Sequence, residues 1–232
     1  MPSFSTANIA NNLAQIQHNI LEFCNKYQRK PESVQLLAVS KTRPAADIRQ
    51  AFNAGQTHFG ENYLQEALEK IQALNDLKIH WHFIGSIQSN KTRPLAENFL
   101  WVHSVDRLKI AQRLSQQRPS TLPPLNICLQ LNISDEATKS GLSVHEVEAL
   151  VNEIISLPNI KLRGLMAIPA KAETFDAQRL IFAQVKALLN QLQIKHPQLD
   201  TLSMGMSGDM QAAIAEGSTM VRIGTAIFGA RS

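Results

Sequence analysis

A lysine at the end of a short apolar run is the first residue of this sequence that could do covalent chemistry. Lys41 closes the apolar run 34–41, and because side chains alternate along a strand, Leu37, Val39 and Lys41 share one face. Above an apolar layer, partial desolvation lowers the pKa of a lysine and supplies the neutral amine that forms a Schiff base with a carbonyl compound. The alternative is an ordinary exposed lysine, and position alone favours it.

The far end of the chain offers groups that could hold a phosphate. Ser207 follows one apolar run and offers a hydroxyl, while Gly224 and Thr225 follow the last run. Barrels of alternating strands and helices often bind phosphate with the loops after strands seven and eight and the start of a short extra helix. Glycine there lets the backbone approach the ligand, and threonine adds a donor. These residues predict an anchor for a phosphorylated carbonyl ligand of Lys41.

Arg222 lies two residues before Gly224, on the same face of the last predicted strand. A buried arginine needs a partner, and no acidic residue is adjacent in the sequence. One interpretation is an ion pair with a distant carboxylate such as Glu61. The other interpretation is that the ligand of Lys41 contains a ring and that the guanidinium contacts this ring. An arginine that donates to a pyridine nitrogen keeps that nitrogen unprotonated, because two positive charges in contact repel.

Three further residues lie on or just after predicted strands. Asn62 follows the second strand, His82 lies within the third and Met166 lies on the sixth. A single histidine on an apolar strand is more often a core residue than a catalyst, and a methionine there is more often packing than a ligand contact. Position alone therefore gives His82 and Met166 no functional role.

The elements that must position these residues are eight short apolar runs that alternate with amphipathic segments. Strands are predicted at residues 34–41, 58–61, 81–85, 101–104, 126–132, 162–168, 201–206 and 220–224. Helices are predicted at residues 45–54, 62–74, 91–99, 107–117, 143–156, 175–193 and 209–216. Strict alternation implies a parallel sheet, and eight strands close a single (β/α)₈ TIM barrel of the α/β class. A doubly wound open sheet is the alternative, but no Gly-x-Gly-x-x-Gly follows the first strand.

An additional helix precedes the barrel, within residues 1–30 of one domain that takes in all 232 residues. Ser5 or Thr6 is predicted to cap it. An apolar stripe follows at helical spacing, formed by Ile9, Leu13, Ile16 and Ile20. We expect the stripe to cover the barrel's own helices, which predicts a monomer.

The composition excludes several classes of protein. Basic residues are scattered, the formal net charge is only +4 and 6% of residues are aromatic, so binding to nucleic acid is not expected. Cys24 and Cys128 have the spacing of neither a disulfide framework nor a metal site. Residues 1–10 lack the basic region and the continuous apolar stretch of a signal peptide, so none is expected, and no apolar run reaches the roughly 20 residues that cross a bilayer. A cytoplasmic protein with no metal and no membrane contact is expected.

Taken together, seven stretches resemble the pyridoxal phosphate homeostasis proteins, the YggS/PROSC group. They are residues 37–42 (LAVSKT), 59–63 (FGENY), 81–85 (WHFIG), 88–91 (QSNK), 164–169 (GLMAIP), 204–207 (MGMS) and 220–229 (MVRIGTAIFG). They run from the first strand to the last, so the resemblance covers nearly the whole chain. It implies a barrel like the N-terminal domain of bacterial alanine racemase.

The resemblance also implies a cofactor site. Lys41 matches the lysine that holds pyridoxal 5′-phosphate (PLP) covalently as a Schiff base. The family's phosphate site falls on Ser207, Gly224 and Thr225, and its contact with the ring nitrogen falls on Arg222. The positions that line the family's pocket fall on Asn62, His82 and Met166. Gly208 stands where an acidic or polar residue is expected, so a modest change in affinity for PLP is expected there.

The implied function is to buffer, carry or deliver PLP, with PLP-dependent apo-enzymes as partners and without substantial catalysis. The alternative is a racemase, which needs a second base besides Lys41. The only tyrosines are Tyr27 and Tyr63, and no added domain is expected after Thr225. An unprotonated pyridine is also a poor electron sink. A Schiff-base aldolase is a third hypothesis, but its lysine is expected on the sixth strand, where this chain has Met166.

Overall fold

Eight parallel strands pair in chain order and close on themselves, because the first strand also pairs with the last. The structure is a computed structural model that describes residues 8–133, 141–170 and 172–230. The strands are β1 Gln35–Val39, β2 His58–Glu61, β3 His80–Phe83, β4 Trp101–Val105, β5 Leu125–Leu131, β6 Ile160–Ala167, β7 Thr201–Ser203 and β8 Met220–Ile223. The closed barrel confirms the predicted (β/α)₈ fold.

Helices follow the strands around the outside of the barrel. They are α1 Ile9–Lys26, α2 Ala45–Asn53, α3 Leu64–Ala73, α4 Thr92–Asn98, α5 Leu108–Gln117, α6 Val144–Ile154, α7 Phe175–Lys195, α8 Met210–Ala215 and α9 Thr225–Phe228. The helix predicted at residues 91–99 is present as α4. Within the described ranges, no helix is long and apolar enough to cross a membrane.

The first helix, α1, packs on the barrel's own helices through the stripe that the sequence predicted. Its buried residues are Ile9, Leu13, Ile16, Ile20 and Cys24. The Asn12 side chain donates to the Ile227 carbonyl oxygen at 2.9 Å, which ties α1 to α9. The cap is Asn8, whose side chain accepts from the Asn11 N–H at 3.1 Å, and not Ser5 or Thr6, which lie outside the described residues.

Six strands end one to three residues earlier than the sequence predicted, and the ends of β1 and β7 lie at the mouth of the barrel. β1 ends at Val39 and not at Lys41, because the chain turns there: the Arg43 N–H donates to the Ser40 carbonyl oxygen at 3.0 Å and Thr42 has φ +62°. β7 ends at Ser203 and not at residue 206, because Gly205 has φ +96°, which glycine tolerates and other residues rarely adopt. Lys41 therefore lies in a turn just beyond its strand.

The barrel interior holds two small apolar clusters, separate from the large core between strands and helices. One comprises Leu37, Ile84 and Met220, with Val39 packed against them. The other comprises Trp101, Cys128 and Met166. Burial raises the pKa of the Cys128 thiol to about 12, so this thiol is not ionised at neutral pH.

Candidate functional site

A cleft at the C-terminal mouth of the barrel brings together residues from opposite ends of the chain. It is lined by Val39, Lys41, Arg43, Gly224, Thr225 and Gly229. The cause is the closure of the barrel, which pairs Leu37 with Arg222 and Ala38 with Ile223. The structure thus places the candidate Schiff-base lysine beside two of the candidate phosphate ligands.

The close approach of β1 and β8 leaves little room for a side chain at position 224, which favours glycine there. A Cβ atom there would lie 3.1 Å from the Val39 carbonyl oxygen and 3.4 Å from the Val39 Cβ. Directly after it, Thr225 begins α9 with an exposed side chain. The Ile227 and Phe228 N–H groups donate to the Gly224 carbonyl oxygen at 2.9 and 3.0 Å, so the N–H groups of Thr225 and Ala226 are the ones that can donate to an anion.

Arg43 joins the turn after β1 to the end of α9. Its Nη2 donates to the carbonyl oxygens of Gly229 at 2.5 Å and Ala230 at 2.7 Å. The cleft therefore has one wall fixed by an arginine that sequence reasoning missed. Its only signal was its place two residues after Lys41.

A buried ionic network holds the same turn from below. The Lys70 Nζ donates to the Ser40 carbonyl oxygen at 2.8 Å and to Glu61 Oε1 at 2.9 Å, and the Ser40 hydroxyl donates to the same Glu61 oxygen at 2.6 Å. Glu66, four residues before Lys70 on α3, accepts from the Thr42 N–H at 2.6 Å. Both residues beside Lys41 are thus anchored to α3.

Arg222 is buried at the floor of the mouth, and its partner is not Glu61. Its Nη1 donates to the Ser203 carbonyl oxygen at 2.5 Å and to the Ser203 hydroxyl at 2.9 Å, and its Nη2 donates to the Ala167 carbonyl oxygen at 2.9 Å. The ion pair with Glu61 that the sequence allowed is therefore wrong, because Glu61 pairs with Lys70. Burial lowers the pKa of Arg222 to about 10, so it stays cationic at neutral pH.

Ser207 and Gly208 lie in the exposed turn between β7 and α8. Asp209 shapes this turn, since its Oδ1 accepts from the Met206 N–H at 2.5 Å. Burial raises the pKa of Asp209, while this hydrogen bond and the charge of Arg222 lower it. Ser207 does not line the cleft of Lys41 in the part of the chain that the structure describes.

Asn62, His82 and Met166, the three other predicted site residues, do not line the cleft of Lys41 as the structure describes it. The Asn62 Oδ1 is buried without a hydrogen-bond partner among the described residues, and Asn62 lines a neighbouring cleft with Ser86 and Gln88. His82 and Met166 are fully buried and present no surface to either cleft. Met166 packs with Trp101 and Cys128 inside the barrel, whereas His82 is hydrogen-bonded there to two other histidines.

His82 belongs to a chain of hydrogen-bonded side chains that the sequence analysis missed. The chain runs through the barrel from an exposed end to Arg222, in the order His80, His58, His82, His103, Ser203 and Arg222. Burial lowers the pKa of His58 to about 4 and of His103 to about 3, and it also lowers the pKa of His82. These three imidazoles are neutral at neutral pH.

The chemistry of the cleft suits an anionic carbonyl compound. Its charged lining residues, among those the structure describes, are Lys41 and Arg43, and no carboxylate lines it. Arg222 adds a buried positive charge on β8, the strand that leads into Gly224 and Thr225. A primary amine beside an N–H-rich helix start and two guanidinium groups fits PLP, which carries an aldehyde and a phosphate.

Comparison with known proteins gave matches over nearly the whole chain. Residues 11–232 match the family model described as alanine racemase, N-terminal domain. A pyridoxal phosphate homeostasis protein of Pseudomonas aeruginosa is 59% identical over 223 residues, which cover 96% of each chain. The protein of that name from Escherichia coli K12 is 52% identical over 226 residues, or 96% of this chain and 97% of the relative.

Solved structures show the same barrel. PipY of Synechococcus elongatus PCC7942, with PLP bound, is 40% identical, with a TM-score of 0.83 over 95% of this chain and 100% of that chain. An alanine racemase of Clostridium difficile is 16% identical, with a TM-score of 0.74 over 97% of this chain and 57% of that one. The second likeness concerns the fold alone.

Proposed function

The chain belongs to the family of pyridoxal phosphate homeostasis proteins, and we propose that it binds PLP at the mouth of its barrel and buffers, carries or delivers this cofactor in the cytoplasm. The observation that carries the proposal is the cleft shared by Lys41, Gly224 and Thr225, which lie at opposite ends of the sequence. The PLP-bound structure of the relative PipY supports it.

Lys41 is the residue proposed to hold the cofactor covalently. Its amine, once deprotonated, would attack the aldehyde carbon, and loss of one water molecule would leave a C=N bond. The turn that carries Lys41 is fixed on two sides, by the bond from Arg43 to Gly229 and by the bond from Lys70 to Ser40. A fixed backbone reduces the conformational entropy that binding must remove.

The phosphate is proposed to bind at the start of α9 and in the neighbouring loop. Gly224 allows the close backbone approach, Thr225 supplies a hydroxyl and N–H groups, and Ser207 supplies a hydroxyl from the turn after β7. Arg43 contributes positive charge from the cleft wall.

Arg222 is proposed to face the ring nitrogen. Its bonds to Ser203 and Ala167 leave Nε–H and one Nη2–H without an acceptor among the described residues. A cationic donor at that place keeps the ring nitrogen unprotonated, and PLP then supplies a weak electron sink. This residue therefore favours holding the cofactor over catalysis.

Among the described residues that line the cleft of Lys41, none offers the second base that racemisation needs. Tyr27 lies at the end of α1, where its hydroxyl accepts from Gln211 Nε2 at 2.9 Å, and Tyr63 is exposed at the start of α3. Neither tyrosine lines the cleft of Lys41 as described. We therefore propose a non-enzymatic role.

Delivery to apo-enzymes is tested by transfer in the presence of a trap for free PLP. We expect the PLP-loaded protein to restore activity to a PLP-dependent apo-enzyme under these conditions. Incubation with L- and D-alanine tests the racemase. Steady racemisation that scales with protein and is lost in Lys41→Ala would overturn the non-enzymatic assignment.

A further inference from the structure

Four histidines on three neighbouring strands form a line through the barrel interior. Their ring nitrogens are joined at 3.0 Å (His80 Nδ1 to His58 Nε2), 2.9 Å (His58 Nδ1 to His82 Nε2) and 2.9 Å (His82 Nδ1 to His103 Nε2). The last link joins His103 Nδ1 to the Ser203 hydroxyl at 2.9 Å. His80 is exposed and His103 is fully buried, so the line connects solvent at the N-terminal end of β3 to the floor of the mouth.

The line does not have the geometry of a metal site. Metal ligands converge on one point, whereas each imidazole here uses one nitrogen toward the preceding residue and one toward the next. Among the described residues, no group of three or more histidine, cysteine or acidic side chains could hold a metal ion. The line is a hydrogen-bond chain.

Arg222 fixes the direction of this chain. Its Nη1 can only donate, so the Ser203 hydroxyl oxygen accepts at 2.9 Å. The buried Ser203 proton also needs an acceptor, and the other partner of this hydroxyl among the described residues is His103 Nδ1, so we assign His103 Nδ1 as the acceptor. A neutral imidazole that accepts at Nδ1 carries its proton at Nε2.

The tautomer of each remaining histidine follows from that of its neighbour. His103 donates from Nε2 to His82 Nδ1, which makes His82 an Nε2–H tautomer in turn, and the rule repeats for His58 and His80. All four rings then have the same tautomer, with every acceptor nitrogen toward Arg222 and every N–H toward solvent. The aligned ring dipoles thus present their negative ends to the buried guanidinium.

We propose that His103, acting through Ser203 and supported by the other three histidines, is a positioning residue that aims Arg222 and stabilises its charge for ligand binding. The positioning of Arg222 toward PLP rests on the proposed function; the tautomer pattern does not. Neutral dipoles stabilise the cation without cancelling it, so the mouth stays positive for an anionic ligand. Asp209 also interacts favourably with the charge of Arg222, but makes no ion pair with it in the described structure.

Nitrogen NMR of the histidine rings tests the chain directly, without PLP. We expect Nε2–H tautomers for His58, His82 and His103 at neutral pH. An Nδ1–H tautomer or a charged ring at His82 or His103 would overturn the proposal, whatever the protein binds. Because this spectrum needs no cofactor, failure of wild-type protein to bind PLP would refute the proposed function alone.

A pair of substitutions at His103 separates positioning from packing. In His103→Gln the amide oxygen can still accept from Ser203 and its N–H can donate to His82, whereas His103→Leu can do neither. We expect His103→Leu to have an about tenfold higher Kd for PLP than wild type. We expect the Kd of His103→Gln to lie within about twofold of the wild-type value. Equal loss in both variants, or no loss in either, would refute the positioning role.

His196→Leu serves as the matched control, because His196 is half-buried at the end of α7 and bonds to Asn152 away from the barrel interior. We expect its Kd for PLP to equal that of wild type. If His103→Leu does not fold, the ring tautomers of the wild-type protein decide the proposal.

Discussion

The Arg43 guanidinium donates to the Gly229 carbonyl oxygen at 2.5 Å, so the turn that carries Lys41 is tied to the end of the last described helix. Residues almost at opposite ends of the chain thereby form one wall of the cleft. Closure of the barrel by β1 and β8 makes this contact possible, and Arg43 then fixes its geometry. The site therefore depends on the completed fold.

Removal of this bond should weaken cofactor binding. In Arg43→Ala we expect an about tenfold higher Kd for PLP, because the wall loses both its hydrogen bonds and one positive charge. Absorbance titration with PLP measures the effect. Arg49→Ala is the control, since the partly exposed Arg49 side chain bonds to Asp76 on the outer surface, and this variant should bind PLP as wild type does.

Two glycines at the mouth should respond differently to alanine. Gly224→Ala brings a Cβ to 3.1 Å from the Val39 carbonyl oxygen, whereas no atom lies within 4 Å of a Cβ at Gly208. We expect Gly224→Ala to lower both the melting temperature and the affinity for PLP. Gly208→Ala should change neither, and a Gly208→Ala variant with the greater loss would contradict the placement of the phosphate.

The buried Lys70 network should contribute strongly to stability. Lys70→Met leaves the buried Glu61 carboxylate without its cation, and removal of one partner of a buried pair costs about 3–5 kcal/mol of unfolding free energy. Urea denaturation measures the loss. Lys195→Met removes an exposed ion pair with Glu148 and should change stability little. Similar losses in both variants would show that the Lys70 network has no special role.

Acid should destabilise the fold through the histidine chain. The pKa values of His58 and His103 in the folded protein are about 4 and about 3, and that of His82 is also lowered, whereas unfolded histidine titrates near 6.5. As the pH falls below 6.5, the unfolded state binds protons that the folded state does not, so the free energy of unfolding decreases. Urea denaturation between pH 7.5 and 5 should show this decrease, and His103→Gln should make it shallower. A flat profile in wild-type protein would contradict neutral buried rings.

The sequence predicted the barrel well, because apolar runs and amphipathic segments alternate clearly along the chain. The predicted strands β1 and β7 extend past the residues at which the observed strands end. The turn after β1 is set by bonds to the distant residues Glu66 and Lys70, and both turns contain a residue with positive φ, Thr42 or Gly205. Apolar periodicity carries no signal for such a turn.

The partners within the site were harder to predict. His82 was interpreted as a single histidine, although His58, His80 and His103 fall on adjacent strands at positions that face the same interior. The pairing of Gly60 with His82 and of His58 with His80 would have revealed this had the register been known. The hydrogen-bond partners of Arg43 and Lys70 could not be predicted, because these partners are distant in the sequence.

The proposed function depends on a covalent bond between Lys41 and PLP. The most direct test is to add PLP, reduce the complex with borohydride and locate the modified lysine by peptide mass spectrometry, with Lys41→Ala treated in parallel. We expect one pyridoxyl phosphate group on Lys41 of the wild-type protein and none on the variant. A stable modification at another lysine, or none after loading with PLP, would contradict it.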